Sequence, residues 1–329
     1  MNATSSRRWL PILSAFSAAA VCNSSKKPGV RLQSPGTDES PLSTLSPIAP
    51  FRILRPNPNL EICYDTRTRN AVYVQHRLVP DESKKNNPRR PRFFEEKSIE
   101  AAYRSKDSTF TSSGYDRGHL APAADFRSND QEFQDTFNLC NASPQDKDLN
   151  RKLWSRLEEW TRRVAQRAAQ TGAVTYVTTG PVWLPRAQLQ EKVFVYNVKG
   201  IGTPPSLVMV PSHFFKLVVV VDADHTRILD YACFVVPNEA SANEKKLEDY
   251  VVAWSDLEMV TGLVLFPGLA DAPFRTQADA LAHSVHPHKN QVMLLSDGKQ
   301  RYKRPGRSAQ SLHHLCENGA CSFPKKSGS

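Results

Sequence analysis

The chain lacks the features that would make it a simple scaffold. Cysteine is scarce, with six residues at positions 22, 63, 140, 233, 316 and 321, scattered except for the last two. That spacing excludes a disulfide-dense scaffold and fits several reduced, buried thiols. No apolar run is long enough for a confident bilayer span. Trp9–Cys22 is interrupted by Pro11 and falls short of the roughly 20 residues a helical span needs. Internal repeats and coiled-coil heptads are also missing, so no solenoid or fibrous reading applies. Acidic residues are absent from positions 1–37, which hold five basic ones: Arg7, Arg8, Lys26, Lys27 and Arg31.

Hydrophobic residues make up 40% of 329, enough to bury a sizeable core. The net charge of +10 is concentrated at the ends. Residues 299–329 carry seven basic residues against Glu317 alone, so the two ends together account for the whole excess. The middle is close to neutral. Any grip on phosphates must therefore come from local clusters such as Lys84–Arg92 and Arg162–Arg167.

The acid-free N terminus fits two kinds of targeting segment. Its Arg- and Ser-rich composition matches a mitochondrial presequence. Basic Arg7–Arg8 ahead of an apolar stretch and Ala18–Ala20 match a secretory signal. The balance favours the mitochondrion, with secretion or the cell surface as the alternative. Residues 38–59, rich in Pro, Ser and Thr, read as a linker. The folded domain is expected over 60–276, with 277–329 a polar, basic and partly disordered extension.

Within the domain, Ile62–Tyr64 and Ala71–Arg77 read as a hairpin around the turn Thr66–Asn70. In Leu149–Ala169, Leu153, Trp154, Leu157, Trp160 and Val164 recur at helical spacing. Val174–Thr179, Val193–Val198, His213–Val221 and Ile228–Val236 are β-branched runs and read as strands. Leu247–Trp254 reads as a helix. Mixed elements without a βαβ repeat predict an α+β fold.

The chemistry concentrates at Tyr115–Phe126, YDRGHLAPAADF. His119 has the side chain that most readily takes a proton near neutral pH. Arg117, two residues earlier, offers the planar donor fork that suits phosphate, and Gly118 permits a tight turn between them. Asp116 is placed to orient that turn or to fix the imidazole tautomer. Downstream, Asn150 opens a helix and Glu158 follows eight positions later, about 80° around it. An amide oxygen with a nearby carboxylate suits Mg²⁺, which takes few protein ligands, and not a structural Zn²⁺ site.

DRGH with a downstream Asn and Glu resembles the DNA/RNA non-specific endonucleases of the ββα-metal class, most closely the mitochondrial branch. Flanking segments carry the same resemblance from about Leu60 to Leu269: CYDTRTR (63–69), NLCNASPQ (138–145), YVTTGPVWLP (176–185), VPSHFFK (210–216) and TGLVLFP (261–267). The resemblance implies a central antiparallel sheet with flanking helices and a ββα-metal motif. It implies a sugar-non-specific nuclease acting on DNA and RNA, usually as a homodimer, with Mg²⁺ (or Mn²⁺) as cofactor and 5′-phosphate products. It makes His119 the general base, Asn150 the direct metal ligand and Glu158 a contact to the metal through water. Arg117 and Arg90 become phosphate contacts, with Arg89 and Arg92 as alternatives to Arg90. Asn141 is assigned to substrate or to support of the metal site. Two other functions stay open: a nucleic-acid-binding homologue without catalysis, and the same chemistry in a secreted or surface enzyme. In the tail, His313, His314, Cys316 and Cys321 allow either a zinc site of non-standard spacing or a Cys316–Cys321 disulfide.

Overall fold

Long β-branched runs dominate the chain, and they build one large sheet. The computed structural model describes residues 47–80, 90–190, 193–285, 312–317 and 321. The elements below belong to the compact unit that runs from Ala49 onward. The N-terminal stretch read as a targeting segment and most of the Lys84–Arg92 cluster lie outside the described residues.

Strands β1 (Phe51–Asn57), β2 (Leu60–Asp65) and β3 (Asn70–Leu78) form an antiparallel meander. Strand β1 lies inside the stretch read as a linker, so the ordered domain begins some ten residues earlier than expected. Its composition hides it, because it pairs on one side only and alternates half-buried with exposed residues. A hairpin of β4 (Asp116–His119) and β5 (Ala142–Gln145) stands apart from the main sheet. Between its strands lies the short helix α1 (Asp130–Asp135). Helix α2 (Ser155–Ala169) follows β5 through a π-helical turn, Asn150–Trp154.

Strand β6 (Val174–Val182) returns to the main sheet beside β3. The small hairpins β7 (Ala187–Gln190) with β8 (Val193–Val195), and β9 (Lys199–Ile201) with β10 (Val208–Val210), interrupt it. The run expected as a strand over Val193–Val198 is therefore a three-residue arm of a peripheral ribbon. Strands β11 (His213–Val221) and β12 (Ile228–Pro237) complete the antiparallel order β1-β2-β3-β6-β11-β12. The expected α+β fold with a central antiparallel sheet is the one present.

Both faces of this sheet are covered, so β11 reads as an almost unbroken apolar run. Phe214 and Val218 pack with Trp154, Leu157 and Trp160 of the α2 segment on one face. Phe215, Leu217 and Val219 pack with Trp254 and Leu257 on the other. The helix expected at Leu247–Trp254 is instead a 3-10 turn at Leu247–Tyr250 followed by α3 (Trp254–Thr261).

The C-terminal extension is folded where it is described. Helix α4 (Ala272–Val285) crosses the expected boundary at 276, burying Ala278, Asp279 and Ala282. Strand β13 (His313–His314) adds in parallel to the open edge of β12. Cys316 and Cys321 form a disulfide, which closes the zinc alternative. Cys63, Cys140 and Cys233 are free and buried, as expected of structural thiols.

Candidate active site

The site is built on the β4–β5 hairpin and the helix behind it. Asp116 to His119 pair with Gln145 to Ala142. Gly118 sits against Gln145 so closely that an added Cβ would lie 2.1 Å from Gln145 Oε1, so the motif needs glycine here for close approach. Beyond the strand, Leu120 N donates to Asn141 O at 2.9 Å. Asn141 then clamps the chain: its Oδ1 accepts from Ala121 N at 2.9 Å, and its Nδ2 donates to Ala121 O at 2.9 Å and Thr136 O at 2.8 Å. With 0% exposure and both ends of its amide engaged, Asn141 is a buried brace behind His119, an arrangement that favours the supporting one of its two expected roles over a substrate contact.

The imidazole of His119 packs between two rings, Phe93 at 5.0 Å and Phe137 at 4.9 Å between centroids. Burial, helped by the nearby Arg90 guanidinium, pulls its pKa down to about 3. It is therefore neutral at pH 7 and able to accept a proton. Arg90 also lies 5.9 Å from the Phe137 ring centre, which ties the basic loop to the histidine.

In front of these rings opens a cleft of about 690 Å³ lined by Arg90, Arg92, Phe93, Asp107, Asp116, Arg117, Asn150 and Arg151. Of the expected site residues, Arg90, Arg117 and Asn150 share this cleft, while Phe93 connects it to His119. Arg117 stacks near Phe93 and Phe110, at 6.0 and 5.5 Å. It is engaged by Asp107, through Nη2 to the backbone oxygen at 2.8 Å and by an Nε–carboxylate approach of 2.5 Å. The latter lacks hydrogen-bond alignment, so it is an ion pair held mainly by charge. Residue Arg89 lies outside the described residues.

Asn150 stands on the first residue of the π turn, a helix irregularity frequent at functional sites. Asp146 caps the preceding turn by accepting from Asp148 N and Leu149 N, both at 3.0 Å. Asn150 Nδ2 donates to Asp116 Oδ2 at 3.0 Å. The same carboxylate holds Arg151 bidentately at 3.0 and 2.9 Å. Asp116 thus bridges the strand to the helix instead of touching His119. The amide nitrogen being engaged, Asn150 offers its oxygen, next to a half-buried carboxylate, and two hard oxygens suit Mg²⁺ or Mn²⁺. Among the described residues no three His, Cys, Asp or Glu side chains are grouped to hold a metal, so a cation here would keep most of its water.

Glu158 does not line the cleft. Two turns along the helix, its carboxylate faces Lys216, Asp125 and Arg162. Burial raises its pKa, and Lys216 opposes that rise. Sequence reasoning missed Lys216, and the only signal for it was a lysine inside an otherwise apolar strand.

Residues 50–272 match the sequence model of the DNA/RNA non-specific endonucleases. The chain belongs to that family. The mitochondrial nuclease of Saccharomyces cerevisiae is 39% identical over 209 residues, which cover 62% of this chain and 62% of the yeast protein. Human mitochondrial endonuclease G is 35% identical, over 63% of this chain and 67% of its own length. Among solved structures, EndoG in its complex with EndoGI superposes with a TM-score of 0.58 at 30% identity, covering 68% of this chain and 88% of that one. The family match ends where α4 begins, so helix α4, strand β13 and the disulfide lie beyond the matched residues.

Proposed function

We propose that the protein hydrolyses phosphodiester bonds of DNA and RNA in the presence of Mg²⁺, with Mn²⁺ as an alternative cation. The observation that carries this is a cleft lined by Arg90, Arg117 and Asn150, whose wall residue Phe93 packs on the imidazole of His119, in a chain of the endonuclease family. Arg117 and Arg90 grip the substrate phosphate, Arg117 by exchanging its exposed partner Asp107 for a phosphate oxygen. His119 takes the proton of the attacking water, starting from the neutral form that burial favours. Asn150 would hold the cation by its oxygen, with Asp116 fixing the amide. A cation held there would supply stabilisation of the negative charge that develops as the 3′-oxygen departs, a cleavage that leaves 5′-phosphate ends. Glu158 acts behind Asn150, through water.

The mitochondrial names of the relatives and the acid-free, Arg-rich N terminus support action in the mitochondrion. The family resemblance supports a homodimer, which light scattering of the purified protein would read directly. Among the described residues no helix is long and apolar enough to cross a membrane. The test is incubation of purified protein with supercoiled plasmid and with single-stranded RNA, with Mg²⁺ and with EDTA. Cleavage of both, abolished by EDTA, is expected; cleavage that persists in EDTA, or none with Mg²⁺, sinks the proposal.

A further inference from the structure

Strand β11 places a lysine where its pattern calls for an apolar residue. Phe214, Lys216 and Val218 share the face under α2, and Lys216 is 1% exposed. Its Nζ donates to Thr179 Oγ1 at 2.8 Å and lies 5.0 Å from the centre of the buried Trp154 ring. Trp154 is one helical turn before Glu158. The ammonium therefore sits under the stretch of helix that joins Asn150 to Glu158.

A buried ammonium is costly unless paired, and removing its partner leaves an uncompensated charge. The charged groups facing Lys216 are Glu158, Asp125 and Arg162. Asp125 already has two partners, His76 at 3.0 Å and Arg162 at 3.0 Å. Of the two carboxylates facing the ammonium, Glu158 attracts it more strongly than Asp125 does. A methionine of the same length would pack this position at lower cost, so packing alone does not account for a lysine.

We propose that Lys216 is a positioning residue for the cation end of the site, holding the carboxylate of Glu158 in place from inside the sheet. The inference rests on the nuclease reading of Asn150 and Glu158. Lys216 touches neither substrate nor reacting atoms and acts through Glu158.

The test compares wild type with Lys216→Met, Lys216→Arg, Glu158→Gln and the Lys216→Met/Glu158→Gln double variant. Three quantities are read: Mn²⁺ binding by calorimetry, the Mg²⁺ concentration for half-maximal plasmid nicking, and Tm. Lys216→Met is expected to weaken Mn²⁺ binding about tenfold and to raise the Mg²⁺ midpoint by a similar factor. In the Glu158→Gln background the same substitution should cost nothing further, and Lys216→Arg should recover most of the affinity. If Lys216→Met does not fold, Thr179→Val, which removes the ammonium's hydroxyl anchor, should shift the Mn²⁺ isotherm about threefold in the same direction. Wild-type Mn²⁺ affinity with a lowered Tm in Lys216→Met or Thr179→Val would make the lysine purely structural and overturn the proposal, as would losses that multiply in the double variant. A wild-type protein that binds Mn²⁺ in a Glu158-dependent way yet cuts nothing would refute the nuclease reading alone, leaving the isotherms to decide on Lys216.

Discussion

Replacing Asn141 by alanine should unfold the protein more easily while leaving its grip on nucleic acid intact. The side chain is fully buried and makes three hydrogen bonds to the backbone of Ala121 and Thr136. Each is worth about 1 kcal/mol net, and a buried backbone group left unpaired costs roughly 1–3 kcal/mol. Allowing for partial relaxation, the loss is about 3–4 kcal/mol. A domain of this size loses about 3 °C of Tm per kcal/mol, so Tm should fall by about 10 °C. The native state, commonly stable by about 5–15 kcal/mol, survives that at 25 °C. Ala121 lies two residues from His119, so kcat should fall as the imidazole loosens, whereas KM for plasmid should hold within about twofold. Thermal unfolding followed by circular dichroism, with steady-state cleavage at 25 °C, separates the two effects. A variant that melts like wild type but shows a KM raised tenfold would put Asn141 on the substrate and refute this reasoning.

Gly118→Ala should cost far more in activity than in stability. A Cβ there meets Gln145 Cβ at 2.6 Å, which must push β4 off β5 and displace His119, and displacements near 1 Å cost on the order of 100-fold in rate; wild-type cleavage would show that the hairpin yields without moving the base. His119, with its pKa lowered from 6.5 to about 3, binds its proton only far below neutrality. Its ring signals in metal-free protein should therefore show no titration between pH 8 and 5.5 by NMR, and a midpoint near 6.5 would contradict the buried, Arg90-flanked environment. Breaking the Cys316–Cys321 link with Cys316→Ser opens a small loop and should cost about 2 kcal/mol on the chain-entropy scale. Plasmid nicking should be unchanged, because the bridge follows β13 at the Asp230–Tyr231 end of β12, whereas it is the opposite end, through Asn238, that bonds to Pro144 of the β4–β5 hairpin; loss of cleavage at a temperature where the variant is folded would tie the extension to the site.

Much of the fold was legible because its signals are local. Strands β3, β6, β11 and β12 are β-branched runs, and α2 shows its apolar stripe at helical spacing, so each was located to within a few residues. Strand β1 escaped because it is an edge strand in a Pro-rich stretch, pairing β2 alone. The folded tail escaped because β13 owes its existence to the open edge of β12 and to a disulfide, neither of which composition reveals. In the candidate site, motif and spacing pointed to His119, Arg117 and Asn150, and the fold brings Arg117 and Asn150 into one cleft. The partners of Asp116 did not, since Asn150 and Arg151 lie more than thirty residues away and are brought to it by the hairpin. Asn141 stayed open between two roles because a polar residue beside a catalytic motif reads alike whether it faces substrate or braces the backbone. Lys216 was invisible as a site residue because the counter-charge that explains it sits on a helix packed across the sheet.

The proposed role of His119 as the base of a metal-dependent phosphodiesterase is tested most directly by following supercoiled plasmid with Mg²⁺ for wild type and His119→Ala in parallel, with a gel-shift of the same plasmid in EDTA. Rapid nicking by wild type, nicking slower by about 100-fold or more in His119→Ala, and equal plasmid binding by both are expected. Nicking by His119→Ala at the wild-type rate would contradict that role.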